Sequence, residues 1–150
     1  MDKKGIFIYG NKNIYEQALK FYKCLVGKIP PKYSILLCNE ETTLEELLAF
    51  LYLSLLCKFH SLFIILKPDK LKISLQITLQ EKIESFENSQ INSLIIILFN
   101  NIGESDIGKE LLTIKFIKKI EDPKIILDII NEIEVVSSTL AGYGKSTYIE

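Results

Sequence analysis

The sequence contains no arginine, and all 18 of its basic residues are lysine. Arginine is the residue that most often clamps a phosphate with two hydrogen bonds, and it is the usual trans-acting finger of ATPases. This chain therefore cannot supply such a finger. The 19 acidic residues bring the net charge to -1, which gives no electrostatic basis for nucleic-acid binding.

Residues that bind metals or form disulfides are also scarce. The chain has one histidine, His60, and three cysteines, Cys24, Cys38 and Cys57, which are widely spaced and form no C-x-x-C pair. A structural zinc site needs closely spaced ligands, and none are present. We expect reduced, buried thiols in an intracellular protein.

Long apolar segments are absent as well. Residues 1–10 contain too few consecutive apolar side chains for the core of a signal peptide. The longest apolar run, Leu47–Cys57, is too short to cross a bilayer. These features predict a protein without a membrane span and a cytoplasmic localisation.

Short apolar runs alternate with stretches of helical periodicity along the chain. The predicted strands are Ile6–Tyr9, Ile35–Cys38, Leu62–Leu66, Leu94–Phe99, Ile114–Ile117 and Ile133–Ser137. The predicted helices are Tyr15–Val26, Leu44–Phe59, Leu71–Phe86, Asp106–Leu112 and Pro123–Ile130. This alternation predicts an α/β protein with a three-layer Rossmann-like fold and a mostly parallel sheet, which ends in a strand that leads into a P-loop.

Three details refine this prediction. Thr43 and Glu46 have the spacing of a capping box at the start of a helix. Leu94–Phe99 is apolar on both faces, which is typical of a central strand. Residues 71–86 also fit the period of a strand, and the helix is preferred because a parallel sheet needs a crossover at this point.

The motif that points to chemistry lies near the end of the chain. Residues Ser137–Ile149 read SSTLAGYGKSTYI, and Gly144, Lys145 and Ser146 match the end of the Walker A pattern G-x-x-x-x-G-K-[ST]. The first glycine of the pattern falls on Thr139, which is a departure, because a β-branched residue adopts few of the conformations that this turn needs.

This loop predicts an ATP phosphate site with Mg²⁺. Lys145 would reach the β- and γ-phosphates, the Ser146 hydroxyl would join the Mg²⁺ shell, and Gly142 would provide part of the turn. The loop amides would surround the phosphates. The predicted cofactor-binding residues are Ala141, Gly142, Tyr143, Gly144, Lys145, Ser146 and Thr147.

A hydrolytic centre also needs an acid at the end of a neighbouring strand to hold Mg²⁺. Leu94–Phe99 is followed by the neutral pair Asn100-Asn101, and Leu62–Leu66 is followed by Lys-Pro-Asp, in which Asp69 comes late. Both strands also precede the loop, whereas the acid usually follows it. No catalytic residue is therefore predicted in this chain, and whether it acts as an enzyme stays open.

Two stretches together resemble the mysterin family. They are Tyr33–Cys57 (YSILLCNEETTLEELLAFLYLSLLC) with the following LFIILKPDKL, and VVSSTLAGYGKSTYI. Mysterins are giant cytosolic RING-finger E3 ubiquitin ligases with a dynein-like row of AAA+ modules. In that family only some modules hydrolyse ATP, and Cys/His-rich zinc domains far downstream transfer ubiquitin.

The resemblance implies an α/β module at residues 1–132 that precedes an AAA+ unit, and the first strand and Walker A loop of that unit at residues 133–150. Only a few residues follow the loop, so we expect the chain to be a fragment of a larger ATPase and E3 ligase. Its partners would be the remaining AAA+ modules of the parent chain.

Two other interpretations stay open. The missing acid, the missing arginine and Thr139 also fit a non-catalytic α/β interaction module with a vestigial P-loop. Asn11-Lys12-Asn13 resembles the guanine-reading N-K-x-D element of a circularly permuted GTPase, although Ile14 replaces the aspartate. The ubiquitination substrate and the oligomeric state are not predicted.

Overall fold

A computed structural model describes residues 4–26, 34–57, 61–86 and 91–122, together with residues 124, 125, 127 and 128. Within these ranges, strands and helices alternate in the order β1 (Gly5–Gly10), α1 (Ile14–Val26), β2 (Ile35–Leu37), α2 (Leu44–Leu55), β3 (Leu62–Leu66), α3 (Ile73–Glu84), β4 (Leu94–Phe99), α4 (Asp106–Leu111) and β5 (Lys118–Ile120). Short 3₁₀ turns, Pro68–Lys70 and Ile102–Glu104, follow β3 and β4. Residues 124, 125, 127 and 128 are helical.

The five strands form one sheet in the order β2-β3-β4-β1-β5, and every pair is parallel. The predicted α/β fold is therefore confirmed, with a sheet that is entirely parallel. β4 lies at the centre, and all six of its residues are buried, as its continuous apolar sequence predicted. The predicted final strand, Ile133–Ser137, lies outside the described residues.

Two apolar clusters cover the two faces of the sheet. Alternate residues of each strand point to opposite faces, so Ile95 and Ile97 belong to one cluster, while Ile96 and Leu98 belong to the other. The face of Ile97 packs against buried residues of α2, α3 and α4, and the face of Ile96 packs against α1.

The strand order explains this distribution of helices. α1 connects β1 to β2 at the far edge, whereas α2, α3 and α4 each connect strands in the opposite direction across the sheet. Because parallel crossovers are right-handed, a reversal of direction places the helix on the other face. β1 and β4 are neighbours in the sheet, but the helices that follow them, α1 and α4, pack on opposite faces.

Helix α3 resolves the ambiguity of residues 71–86. Its buried residues are Leu75, Leu79 and Ile83, which recur at intervals of four and therefore lie on one side of a helix. The polar residues between them, which suggested a strand, lie along the rest of the helix surface. The crossover that a parallel sheet requires is thus confirmed at this point.

The largest differences from the sequence prediction are the end of α2 and the position of β5. α2 ends at Leu55, earlier than the predicted Phe59. The predicted strand Ile114–Ile117 is wrong, because Ile114 and Ile117 are in turns and bury their side chains against α4 and the sheet, while β5 is Lys118–Ile120. Among the described strands β5 pairs only with β1, and a strand at this edge tolerates the two exposed lysines.

The capping box predicted at the start of α2 is confirmed. The Thr43 hydroxyl accepts a hydrogen bond from the Glu46 N–H at 3.1 Å, and the Glu46 carboxylate accepts one from the Thr43 N–H at 3.2 Å. Two backbone donors that the helix leaves free are thereby satisfied.

We expect Thr43→Ala to lower the free energy of unfolding by about 1 kcal/mol, because it removes the side-chain acceptor of the cap. Urea unfolding followed by circular dichroism measures the loss. Thr113→Ala is a suitable control, because its hydroxyl donates to a carbonyl oxygen at an exposed turn and caps no helix N-terminus. Equal losses in the two variants would contradict the assigned role of Thr43.

Candidate functional site

A polar pocket lies at the carboxyl edge of the sheet, where β4, β1 and β5 end side by side. Its volume is about 300 Å³, and its lining residues are Gly10, Asn100, Asn101, Ile102, Gly103, Lys119, Ile120 and Glu121. Ligands of open parallel sheets bind outside the carboxyl ends of the strands, at the point where neighbouring connections diverge to opposite faces. β1 and β4 form that switch point here, and we call this cavity the switch-point pocket.

The connection from β1 to α1 is only three residues long, Asn11 to Asn13. The Asn11 N–H donates to the Phe99 carbonyl at 2.9 Å, and the Asn11 side chain accepts from the Asn13 N–H at 2.7 Å. This tight Asx turn leads directly into α1. A Walker A pattern spans eight residues from its first glycine to its hydroxyl residue, so this three-residue connection cannot form one.

Gly10 makes a close contact at the floor of the pocket. A Cβ atom at this position would lie 3.2 Å from Cγ1 of Ile102, which is tighter than an ordinary van der Waals contact. Glycine therefore lets the end of β1 approach the turn that follows β4.

The end of β3 carries a cation in the position where a metal-binding acid would be expected. Lys67 adopts a left-handed conformation with φ 54° and ψ 56°, which is uncommon for a non-glycine residue. Its N–H donates to the Leu98 carbonyl at 2.9 Å, and its Nζ lies 4.8 Å from the centre of the Tyr15 ring. The ammonium group is thus held over an aromatic face of α1.

Asp69 lies two residues further on, close enough to Cys38 to act on its charge, and is not among the residues that line the pocket. Burial of the Cys38 side chain, and secondarily the negative charge of Asp69, raises the pKa of the thiol to about 12. One carboxylate oxygen of Asp69, Oδ1, is buried and has no hydrogen-bond partner among the described residues. The Cys38 thiol is consequently protonated at neutral pH and is a poor nucleophile.

The ends of β4 and β5 contribute amides and one ion pair. The Asn101 side chain accepts from the Gly103 N–H at 3.0 Å and donates to Glu104 at 3.1 Å. Lys119 Nζ and Glu121 Oε1 are 3.7 Å apart, with side chains 49% and 83% exposed, so solvent screens this pair. The pocket can bind a polar ligand, but its lining includes no nucleophile paired with a base.

The described residues do not fit a Mg²⁺ site. Mg²⁺ prefers carboxylate and water oxygens, yet β1, β3 and β4 are followed by Asn11, Lys67 and Asn100. Within the described ranges, no three histidine, cysteine, aspartate or glutamate residues lie close enough to hold a metal ion.

The Walker A residues predicted from the sequence, Ala141–Thr147, lie outside the described residues, so their arrangement stays a prediction. The switch-point pocket was missed by the sequence analysis. Asn100-Asn101 was noticed only as a pair that lacks an acid, and no local pattern indicates that Gly10 and Lys119 lie beside it.

Among the helices of the described ranges, none combines the length and the apolar composition that a membrane crossing requires.

Comparisons with known proteins identify the family. Residues 5–114 match the model of the RNF213 AAA domain. A search of curated proteins and a search of solved structures each gave no match. The matched region contains β1 to α4 and the ends of β1, β3 and β4, and it lies within the part that the sequence analysis assigned to an α/β module. The chain therefore belongs to the RNF213 (mysterin) AAA domain family.

Proposed function

We propose that this chain is a scaffold AAA module of a mysterin-type protein, which binds ATP phosphates without hydrolysing ATP. The family match over residues 5–114 supports the AAA assignment. The observation that carries the absence of hydrolysis is the carboxyl edge, where the three-residue β1–α1 connection is too short for a phosphate loop and the neutral or basic ends of β1, β3 and β4 provide no metal-binding acid.

In this proposal, phosphate binding is the task of residues 141–147. Lys145 neutralises phosphate charge, the loop amides donate hydrogen bonds, and the Ser146 hydroxyl is the side-chain ligand of Mg²⁺. Residues 1–132 form the scaffold, and residues 133–150 begin the next AAA+ unit. The neighbouring modules of the parent chain are the partners, the localisation is cytoplasmic, and ubiquitin transfer belongs to domains elsewhere in the parent.

Substitution of Lys145 tests the nucleotide part. Loss of a charged hydrogen bond to phosphate costs about 1.5–3 kcal/mol, so we expect Lys145→Ala to raise the Kd of a fluorescent ATP analogue by roughly 10- to 100-fold. Lys119→Ala is the matched control, because Lys119 lines the switch-point pocket and is half exposed. We also expect phosphate release from ATP to stay at the level of a protein-free blank.

The outcomes separate two candidate sites. If Lys119→Ala weakens binding and Lys145→Ala does not, the nucleotide occupies the switch-point pocket and the proposed role of the loop is wrong. If neither change alters the Kd, or if the chain does not bind the analogue, the non-catalytic interaction module is favoured. Circular dichroism of each variant verifies that the fold is retained.

A further inference from the structure

β2 forms an edge of the sheet in the described part of the chain. It pairs only with β3, and the Cys38 N–H, which continues this pairing, donates to the Leu66 carbonyl at 3.0 Å. Backbone groups of alternate residues in a strand point to opposite sides. The N–H and C=O groups of Ile35 and Leu37 therefore point away from β3, to a side on which no described strand lies.

An apolar groove runs along this edge, between β2 and α2. Its volume is about 610 Å³, and its lining residues are Ile35, Leu36, Leu37, Glu46, Ala49, Phe50 and Leu53. Leu37 and Leu53 are 47% and 43% exposed, and Phe50 is buried against the Phe63 ring at 5.9 Å between ring centres. The groove thus combines backbone groups that pair with no described strand with exposed apolar side chains.

Negative charge surrounds the end of the groove at which β2 stops. Glu46 lines the groove, and the exposed residues Glu40, Glu41 and Glu45 are close to it in sequence. A smaller cavity of about 210 Å³, which includes Glu41 and Glu46 in its lining, continues from Leu37 into this region. None of the four carboxylates forms an ion pair with a described residue. An occupant with positive charge beside an apolar stretch would complement this end.

We propose that the β2 edge groove binds an extended segment of another protein as an added sheet strand, with alternating apolar residues flanked by lysine or arginine. Main-chain hydrogen bonds to Ile35 and Leu37 would hold the segment, and its apolar side chains would fill the groove beside Leu53. Its basic residues would meet the carboxylates beyond β2. The predicted strand Ile133–Ser137 of this chain carries Glu134 and no lysine, so it lacks the complementary charge.

The probe is an acetylated nonapeptide in which alternating valines and threonines lie between two pairs of lysines. Its matched control replaces the four lysines with glutamates. We expect the lysine peptide to bind the full chain at least about tenfold more tightly than the control. We also expect amide hydrogen exchange at Ile35 and Leu37 to slow by about tenfold or more on binding, because strand addition protects these two N–H groups.

Variants locate the binding surface. Leu53→Ser removes an apolar lining residue, and the double change Glu40→Lys with Glu41→Lys reverses the charge at the end of the groove. Each should weaken binding of the lysine peptide by about tenfold. Ile73→Ser is the matched control, because Ile73 is 70% exposed on α3 and is no part of the groove, so it should leave the affinity unchanged.

Several results would overturn the proposal. These are equal binding of the lysine and glutamate peptides, binding without protection of the Ile35 and Leu37 amides, or no peptide binding by a chain shown to be folded. Sedimentation supplies a further test. If the chain is a dimer that Leu37→Lys converts to a monomer, and the lysine peptide does not compete with dimerisation, the occupant is a second copy of this chain and the proposed partner is wrong.

Discussion

Replacement of Phe99 by alanine should lower the free energy of unfolding by about 3–5 kcal/mol, which is the usual cost of a large buried cavity. Phe99 is the last residue of the central strand β4, and its side chain is fully buried among residues from α2, α3 and α4. The loss is comparable with the whole stability of a marginal domain. Urea unfolding at 25 °C is the measurement.

Two controls separate the cavity from a general effect of substitution. Phe99→Leu retains most of the volume and should cost about 1.5 kcal/mol or less. Leu56→Ala removes a side chain that is 59% exposed and should change the stability by no more than about 0.5 kcal/mol. If Phe99→Ala were no more damaging than Leu56→Ala, the assigned position of β4 at the centre of the core would be wrong.

Alkaline pH should destabilise the protein through Cys38. The pKa of the thiol is 9.0 for an unperturbed cysteine and about 12 in the folded protein, so the native state keeps its proton where the unfolded state loses it. The contribution of Cys38 to the free energy of unfolding is fully present below pH 9. It falls by about 1.4 kcal/mol per pH unit as the pH rises towards 12. At pH 10.5 the free energy of unfolding is therefore about 2 kcal/mol lower than it would be with Cys38 fully protonated in both states.

The contribution of Cys38 is obtained as a difference between variants, because lysines and tyrosines titrate in the same range. We expect the stability gap between the natural chain and Cys38→Ala to shrink as pH rises from 8 to 10.5. Asp69→Asn should lower the pKa of Cys38, because it removes a nearby negative charge. A pH-independent gap for Cys38→Ala would show that the thiol is not buried as described.

The sequence predicted the elements well where the signal was local. The capping box of Thr43 and Glu46 and the continuous apolar run of β4 are patterns of adjacent residues, and both were interpreted correctly. β5 was misplaced because apolar residues here lie outside the strand, while charged residues form it. Ile114 and Ile117 are buried from turns, while Lys118 and Lys119 occupy an edge strand and are exposed.

The candidate site could not be predicted to the same extent. The polar ends of β3 and β4 are visible in the sequence, but their neighbours depend on strand order. Gly10 and Asn101 line one pocket only because β1 pairs with β4, a partner more than 80 residues away in sequence. Such pairing reflects packing across the whole sheet, and no short motif encodes it.

The position of β1 has a consequence for how the chain folds during synthesis. Its two neighbours, β4 and β5, are the last of the five described strands to be synthesised, so β1 can pair with them only after a delay. At cellular translation rates this delay is on the order of 10 s. Chain closure over such a separation slows folding, and the apolar Ile6–Tyr9 segment is available to chaperones throughout that interval.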